Sequence, residues 1–217
     1  MLFDSLGIEN EQLPKVLTLL PLRGVILVPR SELRLPVTDF SHLSSITDAV
    51  QGDNYVGVVQ FRGESDSPED DVFRCGCVGR VFDVRGDEEG HLMYSIRGIC
   101  RFEITHELPS EGLSRRASVS YDKYQADIVQ EADFSCDRER LIHALKVYFE
   151  RMKIGTNLDE LMEMSNEKLI TMLMTICPFD AHEKQALLER EHYAAQSTLI
   201  THLMELDSFM RDSMSYH

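Results

Sequence analysis

Basic residues are scarce in this sequence. Its 217 residues include 22 Lys and Arg against 37 Asp and Glu, which gives a formal net charge of −15 at pH 7. A protein that binds nucleic acid needs Lys and Arg to displace the counterions around phosphates, and an anionic membrane surface makes the same demand. The composition therefore predicts neither nucleic acid nor a membrane as a partner.

Long apolar runs are also lacking. The first twelve residues, MLFDSLGIENEQ, have neither the basic start nor the apolar centre of a secretory signal. The most apolar stretch, VLTLLPLRGVILVP, is interrupted by Pro21 and Arg23 and is too short to span a bilayer. We therefore expect neither a secretory signal nor a transmembrane segment.

Cysteines are few and odd in number. The five are Cys75, Cys77, Cys100, Cys136 and Cys177. An odd set in a chain of this length is not typical of the disulfide framework of a small secreted domain. The expected location is therefore the reducing cytoplasm.

The first half of the chain has the pattern of a small β-structure. Apolar residues make up 43% of the sequence, enough for a buried core. Short apolar runs, among them VLTLLPL, VILVP and ELRLPV, alternate with turn signals and are predicted strands. One helical pattern, FSHLSSITDAVQ, interrupts them, with Asp39 as its N-cap, Gly52 as its stop and an apolar repeat of Phe40, Leu43, Ile46 and Val50. These signals predict a small barrel or sandwich.

Helical periodicity follows from about Ser135. SCDRERLIHALKVYFERMK places Leu141, Leu145 and Tyr148 or Phe149 on one face and is expected to end at Gly155. The last helix is expected to bury one stripe, which consists of Leu199, Leu203, Leu206 and Met210. We therefore divide the chain into a barrel lobe, residues 1–128, and a helical bundle lobe, residues 129–217.

Four motifs of the first half resemble, in the right order, the amino-terminal domain of Lon-type proteases. LPLRGVILVP followed by LRLPV resembles the opening strands of that domain, and YVGVVQ resembles its central strand. GCVGRVFDV resembles its glycine-centred strand, and IRGICRFEI its G-x-x-R-F-x-I strand. In the helical half, PFDAHEKQALLE resembles its EKQ-x-LLE segment. The resemblance covers nearly the whole chain and is strongest to the short bacterial proteins that consist of this domain alone.

The resemblance implies an α+β fold, in which a PUA-like β-barrel lobe is followed by an α-helical bundle. It also implies binding of polypeptides, which full-length Lon delivers to an ATPase and a Ser-Lys peptidase. Two positions depart from the family pattern. Arg30 stands where the family often has a small or apolar residue, and Thr38-Asp39 stands where it often has Gly-Arg. The second departure precedes the first helix, a surface candidate for substrate contact, so we assign no individual polypeptide-binding residue.

The motifs of a catalytic protein are missing. The sequence has no G-x-x-x-x-G-K-[ST] phosphate-binding loop and no G-x-S-x-G nucleophile turn. We therefore predict a module that is not an enzyme and that carries no catalytic residue, cofactor or metal.

Metal binding is an alternative interpretation for two groups of residues. Cys75 and Cys77 lie two apart on a predicted strand and, with Cys100 and His91 on the next strand, offer four zinc ligands. Buried cysteines without a metal are the favoured interpretation. The pair His182-Glu183 lacks the second His of a zinc-protease motif, and Glu183 is expected to complete a capping box with Asp180.

Methionines and one acidic run allow further alternatives. Exposed methionines suit promiscuous peptide binding, whereas their helical spacing favours the core. The acidic run ESDSPEDD, residues 64–71, suits a cation or a basic partner, although a solvated loop is favoured. The methionines concerned are Met162, Met164, Met172, Met174, Met204, Met210 and Met214.

The leading functional hypothesis is a non-catalytic module that binds unfolded, damaged or exposed hydrophobic polypeptide segments, in an apolar groove between barrel and bundle. The alternative is an adaptor or scaffold that docks a protease or another folded partner in trans. RNA binding, which is frequent among PUA-like barrels, conflicts with the net charge, and a small hydrolase has no motif to support it. The oligomeric state stays open.

Overall fold

The elements of the protein follow the predicted order of strands and then helices. The computed structural model describes residues 13–63, 71–86, 91–109, 112–128, 134–155 and 158–214, with side chains described up to Phe209. The strands are β1 (Val16–Leu22), β2 (Glu32–Pro36), β3 (Tyr55–Gln60), β4 (Cys75–Gly86), β5 (Leu92–Leu108) and β6 (Arg116–Ser120). The helices are α1 (Phe40–Gln51), α2 (Arg138–Met152), α3 (Leu158–Glu163), α4 (Asn166–Ile176), α5 (Ala181–Leu188) and α6 (Tyr193–Met214). A short 3₁₀ helix, Asp122–Asp127, follows β6.

The strands form a barrel because the long strand β5 has two different neighbours on one of its edges. The sheet order is β2-β5-β4-β3-β1-β6, and β6 pairs back onto β5. Residues 93–97 of β5 pair with β2, whereas residues 103–108 pair with β6. Five strands therefore close into a ring, which removes free edges, and β2 extends the sheet beside it.

Strands β1 and β3 are parallel, and every other pairing is antiparallel. The repeating turn signals do not indicate this parallel pair. A parallel neighbour needs a crossover connection, which β2 and α1 supply here. The crossover leaves α1 packed against β1 and β3.

The predicted strand VILVP is wrong. Residues 25–29 form an irregular segment in which Ile26, Leu27 and Val28 are buried. This segment runs close to β5 at Gly98, where a Cβ atom would lie 2.1 Å from the carbonyl oxygen of Val28. An apolar run predicts burial, but it does not distinguish a strand from an irregular segment that is packed on both sides.

Two clusters of buried side chains make up the core. The smaller cluster lies beneath α1, where Ile46 and Ala49 meet side chains of β1, β3, β4 and β5. The larger cluster is continuous from the strands into the helices, since it contains Phe102 and Tyr124 together with Leu145, Leu173 and Ile200. The barrel and the helices thus share one core. The boundary between residues 128 and 129 stays a prediction, and residues 129–133 lie outside the described part of the chain.

Helix α2 buries the face that its spacing predicts, including Leu141 and Leu145, but it ends earlier than expected. Its last residue is Met152, and the C-cap is Lys153, which has a left-handed backbone with φ of 53°. The N–H of Lys153 donates to the carbonyl groups of Glu150 and Phe149. Gly155 therefore does not end this helix.

Helix α6 buries a different stripe from the predicted one. Ile200 and Met204 are completely buried, whereas Leu199 and Leu203 are only half-buried. Leu206 is exposed, and the side chain of Met210 lies outside the described residues. None of the described helices is long and apolar enough to cross a membrane.

Candidate functional site

The junction between strands and helices is held together by a buried ion pair. Arg101 of β5 donates to both carboxylate oxygens of Asp127, at 2.7 and 2.8 Å, and both side chains are almost completely buried. The guanidinium group also donates to the carbonyl groups of Leu188, Arg190 and Glu191, between α5 and α6. Burial alone lowers the pKa of Arg101, but the hydrogen bond and the charge of Asp127 outweigh burial and raise it. The ion pair therefore fixes the helices onto the barrel.

The EKQ segment of α5 supports the same junction. Gln185 donates to the carbonyl of Cys75 at 3.0 Å and accepts from Gln60 at 3.1 Å. Lys184 donates to the carbonyl of Gly24 at 2.8 Å. Glu183 forms the predicted capping box with Asp180, with both bonds at 2.8 Å. The motif residues of this segment thus help to hold the fold together.

At the described junction between barrel and bundle, where a groove was expected, the side chains surround only a small cavity. A cavity of about 10 Å³ lies there, lined by Val28, Arg101, Asp127, Thr171 and Tyr193 among others. Such a volume is about that needed for one water molecule, far below the volume of a side chain. A peptide therefore needs another surface.

The cysteine cluster does not form a ligand set. Cys75 belongs to the larger core cluster and Cys77 to the smaller one. Burial raises the pKa of the thiols of Cys75 and Cys100 to about 12 and raises that of Cys77 as well, which opposes the thiolate form that zinc binds. His91 is exposed at the start of β5. Among the described residues, no three His, Cys, Asp or Glu side chains are placed to hold a metal.

His182 also lacks the surroundings of a metal ligand. Its ring is exposed and meets the ring of Phe73 edge-on, with 5.6 Å between centroids. The neighbouring Glu183 is used in the capping box. The pair therefore matches the expected structural role.

The methionines do not form an exposed patch in the described residues. Met174 and Met204 are buried, Met164 and Met172 pack against the larger core, and Met162 is half-buried. The side chains of Met210 and Met214 lie outside the described residues. The acidic run also lies outside them, apart from Asp71, which is exposed.

Helix α1 has an exposed apolar surface. Phe40 is 80% exposed, and Leu43 and Val50 are also exposed along this helix. Leu113, 62% exposed, lies beside them, because Ser41 donates to its carbonyl at 3.3 Å and Ser114 donates to Ser44 at 2.7 Å. We call Phe40, Leu43, Val50 and Leu113 the α1 surface. Asp48 is the single Asp, Glu, Lys or Arg within this helix, so little charge interrupts the surface.

The orientation of α1 is set at its amino-terminal end. Asp39 is the N-cap, as predicted, and accepts from the N–H of His42 at 2.8 Å. The buried His42 ring is hydrogen-bonded on one side to the hydroxyl of Tyr94 and on the other to the hydroxyl of Thr38, at 3.0 Å. Burial lowers the pKa of His42, and the charge of Asp39 opposes this only in part. The ring thus anchors α1 onto β5.

The sequence indicated α1 as a candidate surface without indicating which side chains it exposes. The repeat of Phe40, Leu43, Ile46 and Val50 is apolar throughout, yet only Ile46 is buried. An amphipathic repeat normally marks the face that packs inward. Here the inner face is completed by His42, Ser45 and Ala49, which shifts the buried side away from Phe40.

A second exposed apolar pair lies on α6. Leu206 is 56% exposed and Phe209 is 73% exposed. They lie three residues apart and therefore on the same side of the helix. Both belong to the carboxy-terminal part of α6, beyond the buried Met204.

Comparison with known proteins identifies the family. The family model for the ATP-dependent protease La (LON) substrate-binding domain matches residues 16–205. The chain is 28% identical over 202 residues to Lon protease 2 of Myxococcus xanthus, which covers 91% of this chain and 24% of that protein. It is 32% identical over 110 residues to the Lon protease of Flavobacterium johnsoniae. The aligned region covers 50% of this chain and 14% of that protein. The chain thus spans about a quarter or less of the length of these relatives.

Solved structures show the same α+β fold. The amino-terminal domain of a Mycobacterium avium complex Lon protease superposes with a TM-score of 0.64 at 15% identity, over 88% of this chain and 98% of that one. A Lon N-terminal domain protein from Xanthomonas campestris superposes with a TM-score of 0.58 at 20% identity, over 83% of this chain and 94% of that one. Because the family model spans most of the sequence, the chain belongs to the ATP-dependent protease La (LON) substrate-binding domain family.

Proposed function

We propose that this protein binds exposed apolar segments of unfolded or damaged polypeptides, without cleaving them, in the cytoplasm. The observation that carries the proposal is the α1 surface, in which large apolar side chains stand in solvent on a helix with one charged residue. Family membership supports a role in recognition, since the matching region is the substrate-binding domain. The small cavity at the junction directs the search for a ligand site to the outer surface.

The α1 surface has the chemistry of a shallow binding site. Phe40 and Leu113 are its most exposed members and are joined through Ser41. Covering a side chain of this size contributes about 2 kcal/mol, and association has an entropic cost that offsets several such contacts. A few anchors on an open surface therefore support an affinity in roughly the micromolar range.

The test is binding of a fluorescently labelled, permanently unfolded polypeptide, measured by anisotropy without ATP. We expect saturable binding that weakens by about tenfold or more in the double variant Phe40→Ser with Leu113→Ser, because two apolar anchors are lost. The matched control is Leu206→Ser with Phe209→Ser, which makes the same chemical change on α6. Electrophoresis of the tracer after the titration checks that it stays intact. Cleavage of the tracer, or equal binding by wild type and the α1 variant, would contradict the proposal.

The adaptor hypothesis is favoured by one observation, the exposed pair Leu206 and Phe209 on α6. A folded protease or other partner that docks in trans needs such a surface, separate from the one that holds an unfolded segment. Under this alternative, a partner is recovered from lysate at a defined stoichiometry. Recovery is lost in the α6 double variant and kept in the α1 double variant, the reverse of the pattern expected for unfolded chains.

A further inference from the structure

We propose that the α1 surface selects apolar segments that are flanked by Lys or Arg. This inference rests on the proposed function and adds the chemical class of the ligand. It concerns the carboxylates around the α1 surface, which do not take part in the apolar contacts.

The stretch of sequence that contains α1 has Asp residues but no Lys or Arg. Residues 35–61 include Asp39, Asp48 and Asp53 but no Lys or Arg. All three carboxylates are in exposed residues. In a chain with 22 basic residues, these 27 consecutive positions carry only negative formal charge.

The three carboxylates border the apolar side chains. Asp39 precedes the first turn of α1, and Asp53 follows its last turn. Asp48 lies on the flank of the helix that contains Ser41 and Ser44, because positions three, four and seven apart share one side. That flank faces Leu113, as the hydrogen bonds of the two serines show. A segment that lies along α1 therefore meets a carboxylate at each end and on one side.

These carboxylates lie outside the ion pairs of the described residues. In the part of the chain that the structure describes, none of the three forms an ion pair with Lys or Arg. Beside Leu113, Arg115 is paired with Glu107 at 2.7 Å. The next residue, Arg116, is exposed on β6.

Asp39 is ionised at neutral pH. Burial alone raises the pKa of its carboxyl group, but hydrogen bonds from the N–H of His42 and the hydroxyl of Thr38 outweigh burial and lower it. Asp39 therefore adds a full negative charge next to Phe40.

Negative charge around a binding surface influences which partners bind there. Opposite charges across an interface increase the rate of encounter and disfavour partners of the same charge, and both effects weaken with salt. The net charge of −15 attracts any cationic chain from a distance, so selectivity at α1 has to be separated from that general attraction.

The experiment uses two labelled peptides with one apolar core, flanked by Lys in the first and by Asp in the second. We expect the Lys-flanked peptide to bind wild type about tenfold more tightly at low salt, and the difference to shrink at about 0.5 M NaCl. The variant Asp39→Asn with Asp48→Asn removes two charges and keeps α1 capped, because Asn is as good an N-cap as Asp. The preference is expected to fall by about threefold or more in this variant.

The control variant is Glu139→Gln with Glu150→Gln, which removes two exposed charges from α2 and should leave the preference unchanged. Equal binding of both peptides by wild type overturns the charge inference and leaves the proposed function standing. An equal fall in the α1 and α2 variants overturns the assignment to α1, since net charge then explains the preference. If neither peptide binds, the proposed function fails, and this inference fails with it.

Discussion

Among the described residues, Arg101 is a side chain that connects three parts of this protein. It joins β5, the end of the 3₁₀ helix and the chain between α5 and α6. Its guanidinium group also stacks over the ring of Tyr124, at 4.4 Å from the centroid. Removing one partner of a buried ion pair leaves the other charge without compensation, which costs more than the pair itself contributes.

The variant Arg101→Met is therefore expected to lose about 3–5 kcal/mol of unfolding free energy. It leaves the carboxylate of Asp127, with 7% of its side chain exposed, without its partner. Chemical denaturation measures the loss. The control is Arg85→Met, which removes an ion pair with Asp83 whose arginine is 61% exposed and should cost less than about 1 kcal/mol. Similar losses in the two variants would refute the role of Arg101.

Arg30 combines an unusual backbone conformation with an ion pair. Its backbone has φ of 62°, a left-handed conformation that glycine adopts without the steric cost of a Cβ atom. Its side chain forms an ion pair with Glu167 of α4. This ion pair is thus a further link between the segment before β2 and the helices.

His42 makes stability depend on pH. Burial lowers its pKa in the folded protein below the ordinary value of 6.5, so the unfolded chain takes up the proton first as the pH falls. The contribution of the neutral ring is complete above about pH 6.5 and is lost as the pH falls below that value.

We expect the wild type to lose more unfolding free energy than His42→Gln between about pH 7.5 and pH 5.5. Glutamine keeps a hydrogen-bonding group beside Tyr94 but does not titrate. Denaturation at a series of pH values gives the two slopes. Parallel curves would show that His42 is not the titrating group.

At the scale of elements, α2 ends at a residue whose type does not suit its backbone conformation. Lys153 is the C-cap and has a left-handed φ of 53°. Glycine adopts this conformation without the steric cost of a Cβ atom and is the usual residue at the left-handed end of a helix.

Lys153→Gly should therefore raise the unfolding free energy by about 1 kcal/mol. The matched control is Lys146→Gly, an exposed position within the same helix, which should lower it by about 1 kcal/mol. Both values come from thermal or chemical denaturation. A loss of stability in both variants would mean that the side chain of Lys153 contributes more than its backbone strain costs.

At the scale of the whole molecule, the continuous larger core decides how the protein unfolds. Side chains of β1, β3, β4, β5 and β6 meet those of the helices in one cluster. Separation of the barrel from the helices would expose apolar side chains of that cluster and would break the bonds of Arg101 and Gln185.

We expect a single cooperative transition in which the calorimetric and van't Hoff enthalpies agree. A fragment of residues 1–128 should not fold alone, because the apolar side chains that face the helices lose their cover. Calorimetry of the full chain and circular dichroism of the fragment test these two expectations. A folded fragment, or two separate transitions, would support independent lobes at the proposed boundary.

The sequence by itself determined the α+β class, the change from strands to helices, the family and the starts of α1 and α5. These properties follow from local patterns, such as the capping box of Asp180 and Glu183 or the N-cap of Asp39. Capping depends on residues three positions apart, so it is visible in one dimension.

Only the tertiary structure decided which apolar residues stay in solvent and what the motif residues do. Phe40 and Ile46 belong to one apolar repeat, but β1 and β3 cover only one side of α1, and Phe40 lies on the other. Arg101 and Gln185 are 84 positions apart in sequence. Both form hydrogen bonds across the junction, which exists only when the barrel closes and α5 packs on it. Burial and long-range contact are properties of the folded chain, because they depend on neighbours that no local pattern specifies.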